Sequence, residues 1–84
     1  MNIEDIRRIV DRMLIDEFEI EPAEIHPEAH LRDDLDLDSL DAVDMIVYFE
    51  KKYGIKIEPE SAQKIRTIGD IYGFIQEMTR GRDL

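Results

Sequence analysis

Between Ile3 and Phe18 the apolar residues stand at Ile3, Ile6, Ile9, Val10, Met13, Leu14 and Phe18, while Arg7, Arg8, Asp11, Asp16 and Glu17 take polar places between them. Steps of three and four put the apolar set on one side of a helix, so the pattern predicts a first amphipathic helix over residues 3–18. The period then fails. Between Glu19 and Asp38, Pro22 and Pro27 forbid a continuous helix, and Ile20, Ile25, Leu31, Leu35 and Leu37 come singly. So long a connection is unusual in a small domain, which implies that these aliphatic residues tack it onto the core or that the segment is functional.

Helical spacing returns at Ser39 and is stopped by Gly54 after Tyr53. On a wheel of about 100° per residue, Ala42, Ile46, Phe49 and Tyr53 share the side expected to face the core, flanked by Val43 and Met45. Leu40, Asp41, Asp44, Val47, Tyr48 and Lys51 face the other way, and a small apolar group ringed by charge suits transient docking. Pro59 opens a brief third helix expected to end near Ile65, and a last helix turns Ile68, Ile71, Tyr72, Ile75 and Met78 inward, weakened by Gly69 and Gly73. The expected fold is all-α: a small four-helix bundle, three main helices plus one short third helix, with a long first connection. Residues 1–84 form one domain, with a tail at 80–84 expected to fray.

A chain of 84 residues has room for one modest core and none for a substrate pocket with its own lid, which argues against an elaborate enzyme. Its 11 basic and 21 acidic residues leave a net charge of -10, which repels nucleic acid and calls for partners with basic docking patches. There is no cysteine, so the chain has no disulfide, thiolate metal site or thiol nucleophile of its own. The start, "MNIEDIRRIVDRM", mixes acids and bases and resembles neither a signal nor a transit peptide, and no segment is long and apolar enough for a membrane span. A cytoplasmic monomer is the expectation.

The most concentrated chemistry is "DDLDLDSLDAVD", Asp33 to Asp44, with six aspartates around one serine. An EF-hand loop begun at Asp34 would find Asp36 and Asp38 at its third and fifth places, but Ser39 and Met45 stand where glycine and a bidentate glutamate are needed. No metal cage is therefore expected; divalent ions would act by loose screening of the mutual repulsion. Asp38 stands where a helix N-cap belongs, with Asp41 three residues on, and both acids complement the positive helix end. Capping gives Ser39 no structural duty and leaves its hydroxyl pointing outward. His26 and His30 are spaced by four around Pro27 without a third ligand and are expected to be solvated loop residues. Ser61 and Thr67 are expected at helix starts, and no histidine or lysine lies within four positions of Ser39 to make it a nucleophile.

With these residues in view, the run "LDLDSLDAVDMIVYFEKKYGIKIEPESAQKIRTIGDIYGFI" resembles the acyl carrier proteins, and the likeness extends weakly through the first helix. Its most specific element is Asp38-Ser39-Leu40 at the head of the second helix, followed by the glycine stop and "KIRTI". The resemblance implies a non-catalytic carrier: a phosphopantetheinyl transferase attaches 4'-phosphopantetheine to Ser39, and the distal thiol carries acyl groups as thioesters. It also implies partner-docking positions at Leu40, Asp41, Asp44, Val47 and Glu50, and an acyl-chain cavity lined by Val43, Ile46, Ile65 and Ile71. A borrowed thiol would explain how a chain without cysteine does thioester chemistry.

Three departures set the chain apart from the family pattern: Asp36 where glycine is common, Lys51 and Lys52 where acids often continue, and few acids beyond Glu58 and Glu60 around the third helix, with Ser61 and Gln63 there. The partners implied are fatty acid or polyketide synthesis enzymes and acyl-transfer enzymes. Fatty acid biosynthesis is the expected pathway, and a specialised stand-alone carrier for a polyketide, peptide or aminoacyl pathway is the alternative. A reading of another class keeps the residues but not the modification: an unmodified acidic adaptor that binds a basic partner through Leu40, Val47 and the aspartates.

Overall fold

The computed structural model describes residues 2–54 and 56–80, and of Pro59 and Ala62 the backbone alone. Four α-helices follow one another: α1 (Ile3–Phe18), α2 (Ser39–Tyr53), α3 (Pro59–Ala62) and α4 (Ile68–Met78), with a 3-10 turn at Pro22–Glu24. No β-strand occurs among the described residues. The fold is thus all-α, as expected, but α3 is a single turn and three helices carry the architecture. The frayed tail expected at 80–84 lies outside the described residues except for Arg80, whose amide donates to the Glu77 carbonyl.

α1 begins where Asn2 accepts the Asp5 amide through Oδ1 at 2.9 Å, satisfying one of the amides a helix start leaves unpaired. It buries Ile6, Val10, Met13 and Leu14 and packs chiefly on α4. Ile3, expected inward, is 39% exposed. It is the first residue of the helix, so its side chain leans past the end of the buried stripe.

A polar tie fixes the α1–α4 contact: the Tyr72 hydroxyl donates to the Asp11 carboxylate, and the Arg7 guanidinium stands 5.4 Å from the Tyr72 ring centre. Burial above all, and then the bond to Asp11, hold the Tyr72 phenol well above its ordinary range. Because the folded state keeps this proton more tightly than the unfolded chain, the stability it contributes is complete below about pH 10, the ordinary tyrosine value. That stability is lost as pH rises through the higher folded value. Tyr72→Phe should cost about 1–2 kcal/mol at neutral pH and should flatten the alkaline limb of a plot of urea midpoint against pH. An alkaline limb of unchanged slope would assign it to other groups.

The long connection is ordered by the aliphatic residues that sequence singled out: Ile20, Leu31, Leu35 and Leu37 are buried and Ile25 half-buried. Ala29, which carries no periodic signal, is fully buried with them. Backbone bonds then tie the connection to the segment entering α4: Leu31 N to Arg66 O at 2.8 Å, Ile68 N to Ala29 O at 3.1 Å, and Gly69 N to Pro27 O at 2.9 Å. His30 and Thr67 form an isolated antiparallel bridge within this seam.

The seam gives Gly69 a role, because a Cβ there would stand 3.0 Å from the Pro27 carbonyl oxygen, whereas one at Gly73 would meet nothing within 4 Å. Gly69→Ala should therefore destabilise by about 1–2 kcal/mol through crowding of the seam. Gly73→Ala should stabilise by about 0.5–1 kcal/mol, the usual gain for a helix interior. Urea denaturation of the two variants measures both, and an equal response would show that the seam yields without cost.

α2 is opened by Asp38 and closed by Gly54, whose φ of +64° suits glycine and whose amide donates to the Glu50 carbonyl at 2.9 Å. Met45, Ile46 and Phe49 are its buried residues, with Ala42 and Tyr53 half-buried and the Tyr53 ring stacked on Phe49. Two flanking residues differ from expectation. Val43, placed beside the core by the wheel, is 49% exposed, and Tyr48, placed on the outer face, is half-buried. Both lie roughly 110° around the helix from its buried centre. The difference is length: Tyr48 reaches back edge-on to Phe49 at 5.4 Å and accepts a hydrogen bond from Lys52 Nζ at 3.2 Å, while valine is too short to fold back. Lys51 and Lys52 occupy the last turn, where cations offset the negative helix end.

The third helix ends at Ala62, not near Ile65 as expected. The reason lies in the seam, since Arg66 must offer its carbonyl to Leu31 and a helix continued to that point would hold it away. Ser61 lies inside this turn, whose N-cap is Glu58, so it is not the helix-start residue expected. Thr67 is one: its hydroxyl accepts the Asp70 amide at 3.1 Å while Asp70 accepts the Thr67 amide at 3.1 Å. α4 buries Ile68, Ile71, Tyr72 and Ile75 as expected, and beyond them Thr79 is buried in place of the half-buried Met78, its hydroxyl donating to the Ile75 carbonyl at 2.8 Å.

Candidate functional site

Ser39 is exposed at the first position of α2. Asp38 Oδ1 accepts the amides of Leu40 and Asp41 at 2.9 and 3.1 Å, and Asp41 Oδ2 accepts the Asp38 amide at 3.0 Å. This reciprocal cap is the arrangement the aspartate spacing predicted, and it holds the helix end without the serine. Among the described residues the Ser39 hydroxyl has no hydrogen-bond partner.

The backbone approaches Ser39 through Asp36, which has a φ of +57°. This left-handed conformation favours glycine and is tolerated by aspartate better than by most residues. Glycine adopts this conformation most readily, and Asp36 takes it while adding charge to the approach.

The aspartate cluster has mostly local work. Asp34 accepts the His30 amide at 2.7 Å, and Asp38 and Asp41 cap α2. No group of three or more His, Asp or Glu side chains among the described residues is placed to hold a metal ion. His30 is not the solvated loop residue expected: its Nδ1 accepts the amides of Arg32 and Asp33 at 3.2 and 3.1 Å, which organises the turn ahead of Asp34. His26 does lie exposed, 3.4 Å from Glu28.

An open groove of about 530 Å³ runs from Ser39 between α2 and the seam. Leu31, Leu37, Ala42, Val43 and Ile65 form its apolar walls, and Arg32, Arg66 and Asp38 its charged edges. Adjoining it at Ala42 and Ile65, a narrow slot of about 10 Å³ is lined by Ile46, Phe49, Ile65, Ile71 and Phe74 among others. Of the residues expected around an acyl chain, Ile46, Ile65 and Ile71 thus come together at the slot, whereas Val43 lines only the outer groove. Ile65 borders both spaces. Sequence reasoning missed Phe74, although it stands three residues after Ile71 on the same helix, and it missed Leu31 and Leu37 as groove walls because nothing local signals a wall.

On the outer face of α2, Leu40 is 72% exposed and Val47 38%, with Asp44 exposed and Asp41 half-buried. Glu50 departs from this set. It is half-buried and its carboxylate accepts the Ile57 amide at 2.9 Å, so it anchors the α2–α3 connection.

The fold is thus a short helical domain with an unencumbered serine at a capped helix start, a groove beside it and an apolar slot adjoining the groove. The residues fit phosphopantetheine, which needs a free hydroxyl and an unobstructed approach. Residues 8–75 match the family model described as the phosphopantetheine attachment site. Acyl carrier protein 2 of Ralstonia nicotianae is 46% identical over 61 residues, 73% of this chain and 75% of that protein. The acyl carrier protein of Thermosynechococcus vestitus is 36% identical over 75 residues, 89% of this chain and 93% of that one. The meromycolate extension acyl carrier protein of Mycobacterium tuberculosis is 49% identical over 59 residues, 70% of this chain but 51% of its own length. The chain belongs to the acyl carrier protein family, whose prosthetic group is phosphopantetheine. No helix among the described residues is long and apolar enough to cross a membrane.

Proposed function

We propose that Ser39 is the residue that receives 4'-phosphopantetheine from a phosphopantetheinyl transferase, and that the holo protein presents acyl units to a series of enzymes. The observation that carries this is the Ser39 hydroxyl: exposed, free of the cap that Asp38 and Asp41 complete, and open to the groove. The arm supplies a thiol, the one group the cysteine-free chain lacks for holding acyl units. Each element of the protein then has a part. The capping box fixes the direction of the serine, the apolar slot offers shelter to a hydrocarbon, and the outer face of α2 meets the partner.

The cargo we assign is aliphatic, of the kind made in fatty acid synthesis. The named slot residues are all apolar side chains, which match a hydrocarbon and would leave the polar groups of an aminoacyl or hydroxylated polyketide cargo without partners. At about 10 Å³ the slot holds little more than one water-sized sphere, so a chain enters only if it widens. Ile65 and Phe74, half-buried at its edge, are the residues best placed to yield. Docking falls to Leu40, Asp41, Asp44 and Val47: a small apolar centre with acids beside it favours fast encounter with basic patches over long residence.

Intact mass tests the attachment directly. Incubation with coenzyme A, magnesium and a broad-specificity phosphopantetheinyl transferase should add one phosphopantetheine per chain. A folded, unmodified protein that gains nothing would leave the α2 face as an unmodified acidic adaptor.

A further inference from the structure

The groove beside Ser39 differs in charge from the rest of the surface. The chain carries a net charge of -10, yet the groove is edged by Arg32 and Arg66, with Asp38 its single carboxylate among the described residues. That carboxylate is engaged by the amides of Leu40 and Asp41. Among the described residues neither arginine has an ion-pair partner, although Asp33 and Asp34 directly follow Arg32 and the Asp70 carboxylate accepts the Arg66 amide at 3.0 Å. The two belong to segments far apart in the chain and are brought together by the seam, where the Leu31 amide meets the Arg66 carbonyl and His30 bridges Thr67. The seam itself uses only backbone groups of Leu31 and Arg66, so it does not account for two arginines on one groove.

We infer that Arg32 and Arg66 form a subsite for an anionic group tethered at Ser39. A guanidinium fork matches the planar oxygens of a phosphate or carboxylate. Two such forks on an apolar-walled groove, with the attachment atom at its end, fit an anion that arrives on the arm. The inference rests on attachment at Ser39. Two sources share this chemistry, the phosphodiester of the arm itself and a carboxylate at the free end of an acyl cargo, and the apolar slot would take neither. When occupied, the groove would hold the arm against the protein surface, and release would come when a basic partner competes for the anion.

The test compares four forms of the full chain: unmodified, and loaded by the transferase from coenzyme A, acetyl-coenzyme A or succinyl-coenzyme A, each verified by intact mass. Side-chain Nε–Hε resonances of Arg32 and Arg66 are followed by NMR, and melting temperature is measured at low and high salt. Movement of both resonances on loading, with a melting temperature higher by about 2–5 °C at low salt, is the size expected of a partly exposed charge contact in so small a domain. The rise should fade at high salt and vanish in the Arg32→Gln/Arg66→Gln variant. A response already full in the form loaded from coenzyme A assigns the phosphodiester, and one confined to the succinyl form assigns the carboxylate. Correct masses with unmoved arginine resonances in every form would overturn the subsite while leaving attachment at Ser39 intact. Absence of any mass gain would instead refute the attachment.

Discussion

Ser39→Ala protein is expected to keep its unmodified mass under conditions in which the parent chain gains one phosphopantetheine, and to keep its stability. The first expectation is a complete loss, since no other hydroxyl shares this placement: Ser61 lies within α3, Thr67 caps α4 and Thr79 is buried. The second follows from the cap. Asp38 and Asp41 satisfy the first amides of α2, so removing the Ser39 hydroxyl should change the unfolding free energy by at most about 1 kcal/mol. Asp38→Ala serves as the contrast, because it strips the acceptor of the Leu40 and Asp41 amides and should cost about 1–2 kcal/mol. Intact mass and urea denaturation on the same three preparations separate the roles. A Ser39→Ala chain that unfolds would make the hydroxyl structural, and one that still gains the group would move the attachment elsewhere.

Phe49→Ala is expected to be the most damaging of the α2 substitutions. Phe49 is 2% exposed, with Tyr48 edge-on to one side of its ring and Tyr53 stacked near it, and it lines the slot. Truncating a buried phenylalanine costs about 3–5 kcal/mol through lost burial and the cavity left behind. A domain of this size has only about 4–13 kcal/mol in all, so the variant should be partly unfolded or melt far below the parent. Val43→Ala is the paired measurement. At 49% exposure Val43 faces the groove, and its truncation should stay within about 0.5 kcal/mol. Comparable losses at the two positions would return Val43 to the core, where helical spacing alone had placed it.

Three results were legible in the order of residues because their causes are local. Helix spans come from the spacing of apolar residues and from punctuation by Asp38, Thr67, Gly54 and the prolines, and the observed α1, α2 and α4 follow that spacing. The capping box at Asp38 and Asp41 depends on a separation of three residues and on acceptor chemistry, both readable directly. The freedom of the Ser39 hydroxyl follows from that cap.

What the tertiary structure decided are matters of which distant segments meet. The seam between residues 27–31 and 66–69 ends α3 early, crowds Gly69, buries Ala29 and puts Arg32 and Arg66 on one groove, none of which has a local signature. The Glu50 carboxylate is taken up by the Ile57 amide, seven residues on, and Tyr48 leaves the outer face of α2 because a long ring can lie back on Phe49. A wheel gives the direction of a Cβ; burial depends on how far the side chain reaches and on what the rest of the chain puts there.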